Sequence, residues 1–247
     1  MRAVTVDFWG TLLLDPPSSD NRYKRRRMAD FETILTSLGV KVTPVALERA
    51  YEDSASFLGR TWAQNKDVPV GEHVRAILAA VDSGLPARVP ADAMAALVDA
   101  YARPALLVPP SVDEGARSAF TRLQAQGVTL ALLSNTMRTP GVVLRQVLDR
   151  YGLLRCFAHT TFSDEVGVRK PDPAIFALTL RALQVDATAA VHVGDDPILD
   201  VLGARKAGLR VIQVTNASLK ALGAQRPDAV IPSLATLPEA LATLNES

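Results

Sequence analysis

The chain has 247 residues, with Lys+Arg 27 against Asp+Glu 26 and a formal net charge of +1. This balance argues against a nucleic-acid binder that relies on bulk positive charge. A hydrophobic fraction of 48% with 21% charged residues excludes a disordered or fibrous chain. One cysteine, Cys156, cannot form an internal disulfide, and no apolar run approaches the ~20 residues that cross a membrane. We therefore expect a cytoplasmic globular protein without a nucleic-acid or membrane partner.

The beginning of the chain predicts one buried strand. Residues 3–8 are mostly apolar and β-branched, which is typical of a strand covered on both faces of a sheet. The strand ends before Gly10 and Thr11, and residues 15–19 continue as the turn-rich sequence Asp-Pro-Pro-Ser-Ser.

The region from this turn to about residue 101 predicts helices only. Apolar residues recur at helical spacing from Met28 to Leu38, before a stop at Gly39. Further helices are predicted after Pro44, over residues 74–81 and over residues 91–101. We therefore expect residues 17–104 to form an inserted helical domain of the four-helix kind.

After residue 104 the predicted helices and strands alternate. The strands are expected at residues 129–133, 158–162, 190–193, 210–214 and 229–231, and the helices at residues 112–126, 141–151, 174–183, 199–207 and 237–244. Such alternation with short connections indicates a parallel sheet with helices on both faces. The predicted fold class is α/β, with residues 1–16 and 105–247 forming the core. Ligands of such sheets bind beyond the carboxyl ends of the strands.

Polar side chains cluster at these strand ends and in one loop. The groups are Asp7, Gly10 and Thr11; Ser134, Asn135 and Thr136; Lys170 within residues 167–173; and Asp195, Asp196 and Asp200. Asp7 is a candidate nucleophile, because carboxylates form covalent intermediates. Gly10 lets the backbone approach a ligand, Ser134 offers a hydroxyl donor, and Lys170 can neutralise a transferring anionic group.

The charges of this predicted site do not balance. Four carboxylates beside one lysine would raise each other's pKa values at a cost of several kcal/mol. A divalent cation with oxygen ligands removes the repulsion, and Mg²⁺ typically binds one or two carboxylates, waters and a phosphate oxygen. The sequence therefore predicts Mg²⁺ and a phosphorylated small-molecule substrate.

These motifs resemble those of the haloacid dehalogenase superfamily, most specifically in residues 163–173 and in residues 193–208. The resemblance implies a Rossmann-like core with Asp7 as nucleophile, Lys170 paired with it, and a helical insertion that is similar to the type 1 cap. It also implies ligand contacts from Gly10, Thr11, Ser134, Asn135 and Lys170. The metal ligands would be Asp7, Asp195 and the backbone carbonyl of Trp9. Asp196 is expected either to support the metal from further out or to cap the helix that follows it, and Asp200 to hydrogen-bond Lys170 or a metal-bound water.

Trp9 departs from the pattern of the superfamily's phosphatases, which carry a second Asp at this position as general acid. An indole cannot shuttle protons at neutral pH. Enzymes of the superfamily that hydrolyse 2-haloacids carry an aromatic residue there and need no metal, so dehalogenase chemistry is the first alternative. Cleavage of a C–P bond through an imine on Lys24 or Lys66 is another, and a phosphoryl-binding module without catalysis is a third. Because Asp195 favours a metal, the sequence favours a Mg²⁺-dependent phosphatase.

Several other residues have ordinary structural interpretations. The basic run Lys24-Arg25-Arg26-Arg27 is more typical of a solvated helix face than of an anion site. His192 is predicted to be a core residue with satisfied hydrogen bonds, and Cys156 to be a small core residue that begins a strand. Asp172 is predicted to cap the helix that follows it.

Overall fold

The computed structural model describes residues 1–14, 19–215 and 225–246. Its centre is a sheet of six parallel strands in the order β5-β4-β1-β6-β7-β8. The strands are β1 (Ala3–Val6), β4 (Thr129–Ser134), β5 (His159–Phe162), β6 (Ala190–Gly194), β7 (Arg210–Val214) and β8 (Ala229–Ile231). A separate antiparallel pair joins β2 (Leu13–Leu14) to β3 (Ser111–Val112).

Helices cover both faces of the large sheet. The helices of this part of the chain are α6 (Pro104–Leu107), α7 (Ala116–Ala125), α8 (Gly141–Arg150), α9 (Ser163–Val166), α10 (Pro173–Leu183), α11 (Gly203–Lys206) and α12 (Leu237–Glu246). One face carries Val4 and Val6 and packs on α7, α8 and α12, whereas the other carries Ala3 and packs on α10 and α11. Burial on both faces explains why most residues of β1, β4 and β6 are apolar. The predicted α/β fold class, Rossmann-like with an inserted helical region, is confirmed.

The inserted region contains α1 (Ser19–Ser37), α2 (Pro44–Trp62), α3 (Val70–Val81), α4 (Leu85–Arg88) and α5 (Ala91–Ala102). It has its own hydrophobic core, whose buried members all lie between Met28 and Tyr101. Thr43 begins α2 by accepting a hydrogen bond from the backbone N–H of Ala46. Within the described ranges, no helix has the length and apolarity required to cross a membrane.

The separate core favours the domain division expected from the sequence. We propose residues 17–104 as the cap and residues 1–16 with 105–247 as the core domain. The first boundary falls within the turn-rich residues 15–18, which lie outside the described residues.

Three local predictions were wrong, and one pair of strands was missed. The β2–β3 pair was not predicted, and the helix expected from residue 112 begins at Ala116 because β3 occupies Ser111–Val112. The helix expected over residues 199–207 is divided into a π-helical turn, Pro197–Leu202, and the short α11. Cys156 ends a 3₁₀ turn rather than beginning a strand, although it is buried as expected.

Arg27 joins the helical region to the core. Its side chain is only 1% exposed, and it donates hydrogen bonds to the carbonyl oxygens of Tyr101 at 2.7 Å and Arg138 at 2.9 Å. Its guanidinium also donates to the Tyr51 hydroxyl and lies 4.6 Å from the centre of the Tyr101 ring. The basic run is therefore not a uniform solvated face, because Arg27 points inward while Arg25 is exposed.

Substitution of Arg27 tests this joint. We expect Arg27→Met to lower the free energy of unfolding by about 3 kcal/mol, because buried carbonyl oxygens lose their donors. Arg25→Met on the same helix is the matched control and should change it by less than about 0.5 kcal/mol. Urea unfolding of both variants measures the difference, and equal losses would contradict the assigned role of Arg27.

Candidate active site

The strand order brings three of the predicted site residues together. β1 lies between β4 and β6, so Asp7, Ser134 and Asp195 all lie at the carboxyl ends of adjacent strands. Asp7 continues the pairing of β1, because its backbone N–H donates to the carbonyl oxygen of Val193 at 2.9 Å. The nucleophile predicted from the sequence is thus held by the sheet itself, in the position where α/β proteins bind ligands.

Lys170 enters this group from the loop before α10. Its Nζ lies 2.6 Å from Oδ1 of Asp7 and 2.6 Å from Oδ1 of Asp200. Burial alone would lower the pKa of Lys170, but the two carboxylates outweigh it and hold this pKa above its usual value. Lys170 therefore stays charged, and its partners are fixed by two charge-assisted hydrogen bonds.

Asp200 is itself fixed from the opposite side. Its Oδ1 contacts His192 Nε2 at 2.9 Å, and its Oδ2 accepts the backbone N–H of Asp196 at 2.9 Å. Burial opposes ionisation, yet Lys170 and His192 together hold the pKa of Asp200 well below its usual range. Because both oxygens already have partners, Asp200 serves better as a support for Lys170 than as a metal ligand.

His192 completes a buried chain of hydrogen bonds. Its Nδ1 lies 2.8 Å from the hydroxyl of Thr5, and burial lowers its pKa, so the ring is neutral. A carboxylate can only accept, which assigns the ring proton to Nε2, opposite Asp200, and leaves Nδ1 as acceptor from Thr5. Both ring nitrogens have partners, as the sequence suggested for a core histidine.

The carboxylates of Asp7, Asp195 and Asp200 form an acidic cluster in which one ligand atom from each lies within 4.8 Å of the others. Burial, together with the charges of Asp200 and Asp195, raises the pKa of Asp7 to about 7 despite the opposing effect of Lys170. Three carboxylates beside one ammonium leave excess negative charge in a buried site. Oxygen ligands with excess negative charge suit a hard divalent cation such as Mg²⁺, and Asp7 with Asp195 fit this purpose.

Gly10 leaves space for the carboxylate of Asp195 beside Asp7. Its φ is +79°, and a Cβ added to it would lie 2.6 Å from Oδ2 of Asp195. Only glycine fits here, because a side chain would strain the backbone and displace the carboxylate. The neighbouring Thr11 is fully buried, and within the described parts of the chain neither its hydroxyl nor the indole N–H of Trp9 has a hydrogen-bond partner.

The other predicted contact residues differ in what their side chains do. Ser134 is buried at the end of β4, with its hydroxyl 3.2 Å from the carbonyl oxygen of Asn135. The side-chain amide of Asn135 is engaged by the backbone of Lys170, whose carbonyl accepts from it at 3.0 Å and whose N–H donates to it at 2.8 Å. Asp196 accepts the backbone N–H groups of Ile198 and Leu199 and so caps the π-helical turn. The predicted cap at Asp172 is confirmed.

Sequence reasoning missed a second buried charge pair beside this site. Arg169, which precedes Lys170, lies 2.5 Å from a carboxylate oxygen of Asp67 in the helical region. Arg169 belongs to the motif of residues 163–173, but its position there indicates no role of its own. Nothing around Asp67 in the sequence distinguishes it from the other acidic residues of the insertion.

The lysines considered for imine chemistry do not suit it. A hydrogen bond from Lys24 to Glu52 raises the pKa of Lys24, whereas imine formation needs a lowered one. Lys66 is exposed.

Comparison with known proteins gives consistent matches. The family model for haloacid dehalogenase-like hydrolases matches residues 1–208. A phosphoserine phosphatase of Thermus thermophilus is 38% identical over 99 residues, which are 40% of this chain and 39% of that protein. The (S)-2-haloacid dehalogenase 2 of a Pseudomonas species is 35% identical over 127 residues, covering 51% of this chain and 53% of that protein. These alignments thus span about half or less of the curated relatives.

A solved structure matches over nearly the whole chain. The 2-haloacid dehalogenase from Pseudomonas syringae pv. tomato DC3000 superimposes with a TM-score of 0.71 and 26% identity, and the match covers 99% of both chains. Like this solved structure, the curated relatives described above are hydrolases: one is a phosphatase and the other a dehalogenase.

A pair of glycine substitutions tests the site geometry. Gly10→Ala should reduce hydrolase activity by about 100-fold, because the new methyl group displaces Asp195 from Asp7. Gly39→Ala is the matched control, since Gly39 has a similar φ of +75° but no atom within 4 Å of the place that a methyl group would take. Steady-state kinetics and thermal unfolding of both variants separate displacement from backbone strain. Equal activities in the two variants would contradict this account.

Proposed function

The chain belongs to the haloacid dehalogenase-like hydrolases, and on that premise we propose that it is a Mg²⁺-dependent phosphatase of a small phosphorylated metabolite. The supporting observation is the carboxylate of Asp195 beside that of Asp7 at a buried strand end. Without a bound cation, the repulsion between these carboxylates opposes ionisation of the nucleophile. Asp7, Asp195 and the backbone carbonyl of Trp9 would hold Mg²⁺, which supplies positive charge for the phosphoryl oxygens.

In the proposed reaction, a carboxylate oxygen of Asp7 attacks phosphorus as the bond to the leaving group breaks. Lys170 stays bound to Asp7 and neutralises charge on the phosphoryl group. The Ser134 hydroxyl and the backbone around Gly10 and Thr11 hold the phosphoryl oxygens. Water then attacks phosphorus of the aspartyl-phosphate, which releases phosphate and restores Asp7.

Asn135 and Asp200 have supporting parts in this proposal. Asn135 holds the backbone of Lys170 through both polar groups of its side chain, so any contact it makes with substrate comes from its own backbone. Asp200 orients the ammonium of Lys170. Asp196 keeps the turn that carries Asp200 in place.

Dehalogenation of a 2-haloacid is the second candidate, and Trp9 favours it. In that reaction Asp7 displaces halide from carbon, and water hydrolyses the resulting ester, so the halide leaves without a proton. The 2-haloacid dehalogenase structure with 26% identity also supports this alternative. Asp195 is the observation against it, because a buried carboxylate beside the nucleophile hinders a reaction that uses no metal.

A paired assay separates the two candidates. We expect p-nitrophenyl phosphate to be hydrolysed with Mg²⁺ and not with EDTA, and 2-chloropropionate to release no chloride. Asp195→Asn should abolish the Mg²⁺-dependent activity, because it removes a proposed metal ligand. Chloride release that is unaffected by EDTA would favour the dehalogenase instead. A folded, Mg²⁺-binding protein without either activity would indicate a phosphoryl-binding module.

The leaving group should limit the proposed phosphatase. Because Trp9 cannot donate a proton to the leaving oxygen, we expect aryl and acyl phosphates to be hydrolysed about 10²–10⁴ times faster than alkyl phosphates. Trp9→Asp should narrow this difference, whereas Trp9→Asn, which has similar size to Asp but no transferable proton, should not. Values of kcat for p-nitrophenyl phosphate and glycerol phosphate measure the effect. Comparable rates on both substrates in the unsubstituted protein would contradict it.

A further inference from the structure

A buried polar cluster joins the helical region to the loops that carry the site. It consists of Asp67, Trp62, Thr136, Ser163 and Arg169, and we call it the Asp67 cluster. The carboxylate of Asp67 is fully buried and the side chain of Arg169 is 6% exposed. Of these residues, Trp62 and Asp67 belong to α2 and the connection that follows it, and the others belong to the core domain.

Both carboxylate oxygens of Asp67 have partners. Oδ2 accepts hydrogen bonds from Ser163 at 2.5 Å, Arg169 at 2.5 Å and Thr136 at 3.3 Å. Oδ1 accepts from the indole N–H of Trp62 at 3.0 Å and from the backbone N–H of Val68 at 2.9 Å. Removal of one charge from such a buried pair is costly, because the other charge stays buried without its partner.

The backbone reinforces the same contact. The N–H of Asp67 donates to the carbonyl oxygen of Gly167 at 3.1 Å, and the N–H of Arg169 donates to that of Asn65 at 2.9 Å. Lys66 and Val168 therefore form an antiparallel bridge. The connection between α2 and α3 thus pairs, like a short strand, with the three residues that come immediately before Lys170.

The cluster also reaches the loop after β4. Nη1 of Arg169 donates to the carbonyl oxygen of Thr136 at 2.7 Å, while its guanidinium lies 4.4 Å from the centre of the Trp62 ring. Thr136 follows Asn135, whose side chain holds the backbone of Lys170. Asp67 is therefore connected to the lysine loop from two directions, through Arg169 and through Thr136.

We propose that Asp67 is a positioning residue for catalysis, which holds Lys170 in contact with Asp7 by fixing Arg169 and Thr136. It touches neither substrate nor nucleophile. This proposal rests on the proposed function only in that Lys170 serves the reaction, and Lys170 would neutralise charge at Asp7 in either candidate reaction. The helical region then contributes a part of the catalytic geometry as well as a cover.

Kinetics of Asp67→Asn test the proposal against a matched control. We expect kcat to fall by about 10–100-fold with KM nearly unchanged, because misplacement of Lys170 weakens the transition state more than substrate binding. The control is Asp228→Asn. Asp228 also pairs with an arginine, Arg205 at 2.9 Å, and accepts a backbone N–H, that of Val211, at the opposite end of the sheet. It should keep kcat within about two-fold, since it lies away from the site.

Substitutions of Arg169 show whether the pair acts as a unit. Arg169→Met should lower kcat as Asp67→Asn does, and Arg169→Lys should recover part of it, because a cation that reaches Asp67 is kept. The double variant Asp67→Asn with Arg169→Met should lose no more activity than the worse single variant. Losses that multiply in the double variant, or an equal loss in Asp228→Asn, would overturn the proposal.

Hydrogen exchange separates failure of this proposal from failure of the proposed function. In Asp67→Asn we expect faster amide exchange at residues 133–139 and 165–171 than in the unsubstituted protein, with no such change in Asp228→Asn. This measurement requires no activity, so an inactive protein would refute the proposed function while the role of Asp67 is still tested. Unchanged exchange at both segments would overturn the role of Asp67.

Discussion

The site depends on the ion pairs that the ammonium of Lys170 forms with two buried carboxylates, those of Asp7 and Asp200. The ammonium contacts Asp7 and Asp200 at the same distance of 2.6 Å. A buried ion group of this kind is stable only when every member has its partners. His192 and the backbone of Asp196 supply those of Asp200, and Asn135 holds the backbone of Lys170. Partners within the protein therefore hold these charged groups in place, which is the arrangement that electrostatic catalysis requires.

This arrangement divides the acidic residues into two kinds. Lys170 and His192 hold the pKa of Asp200 low, whereas burial and the charges of Asp200 and Asp195 raise the pKa of Asp7. Lys170 neutralises the charge of Asp200, whereas Asp7 and Asp195 together keep an excess of negative charge. The same geometry thus puts the Lys170 ammonium on one side of Asp7 and the Asp195 carboxylate, the proposed second ligand of Mg²⁺, close to it. In the proposed phosphatase, Trp9 would limit the supply of a proton to the leaving group.

The six strands of the sheet were predictable from sequence, because buried parallel strands are short apolar runs. Residues at strand ends, such as Asp7 and Ser134, could be placed at one edge of the sheet, because the carboxyl ends of parallel strands lie on the same side. The β2–β3 pair could not be predicted, since strands of two residues carry no periodic signal. The hydrogen bonds from the Asn135 side chain to the backbone of Lys170 could not be predicted either. The orientation of that side chain depends on packing between loops that lie far apart in sequence.

The Asp67 cluster is the clearest example of contacts that local sequence patterns cannot predict. Asp67 and Arg169 are separated by 102 residues, and each resembles an ordinary surface charge in its own segment. Their meeting follows from the backbone bridge between Lys66 and Val168, which belongs to no regular element. The buried ion pair of Asp67 and Arg169, one residue before Lys170, links the position of the helical region to the charge beside Asp7.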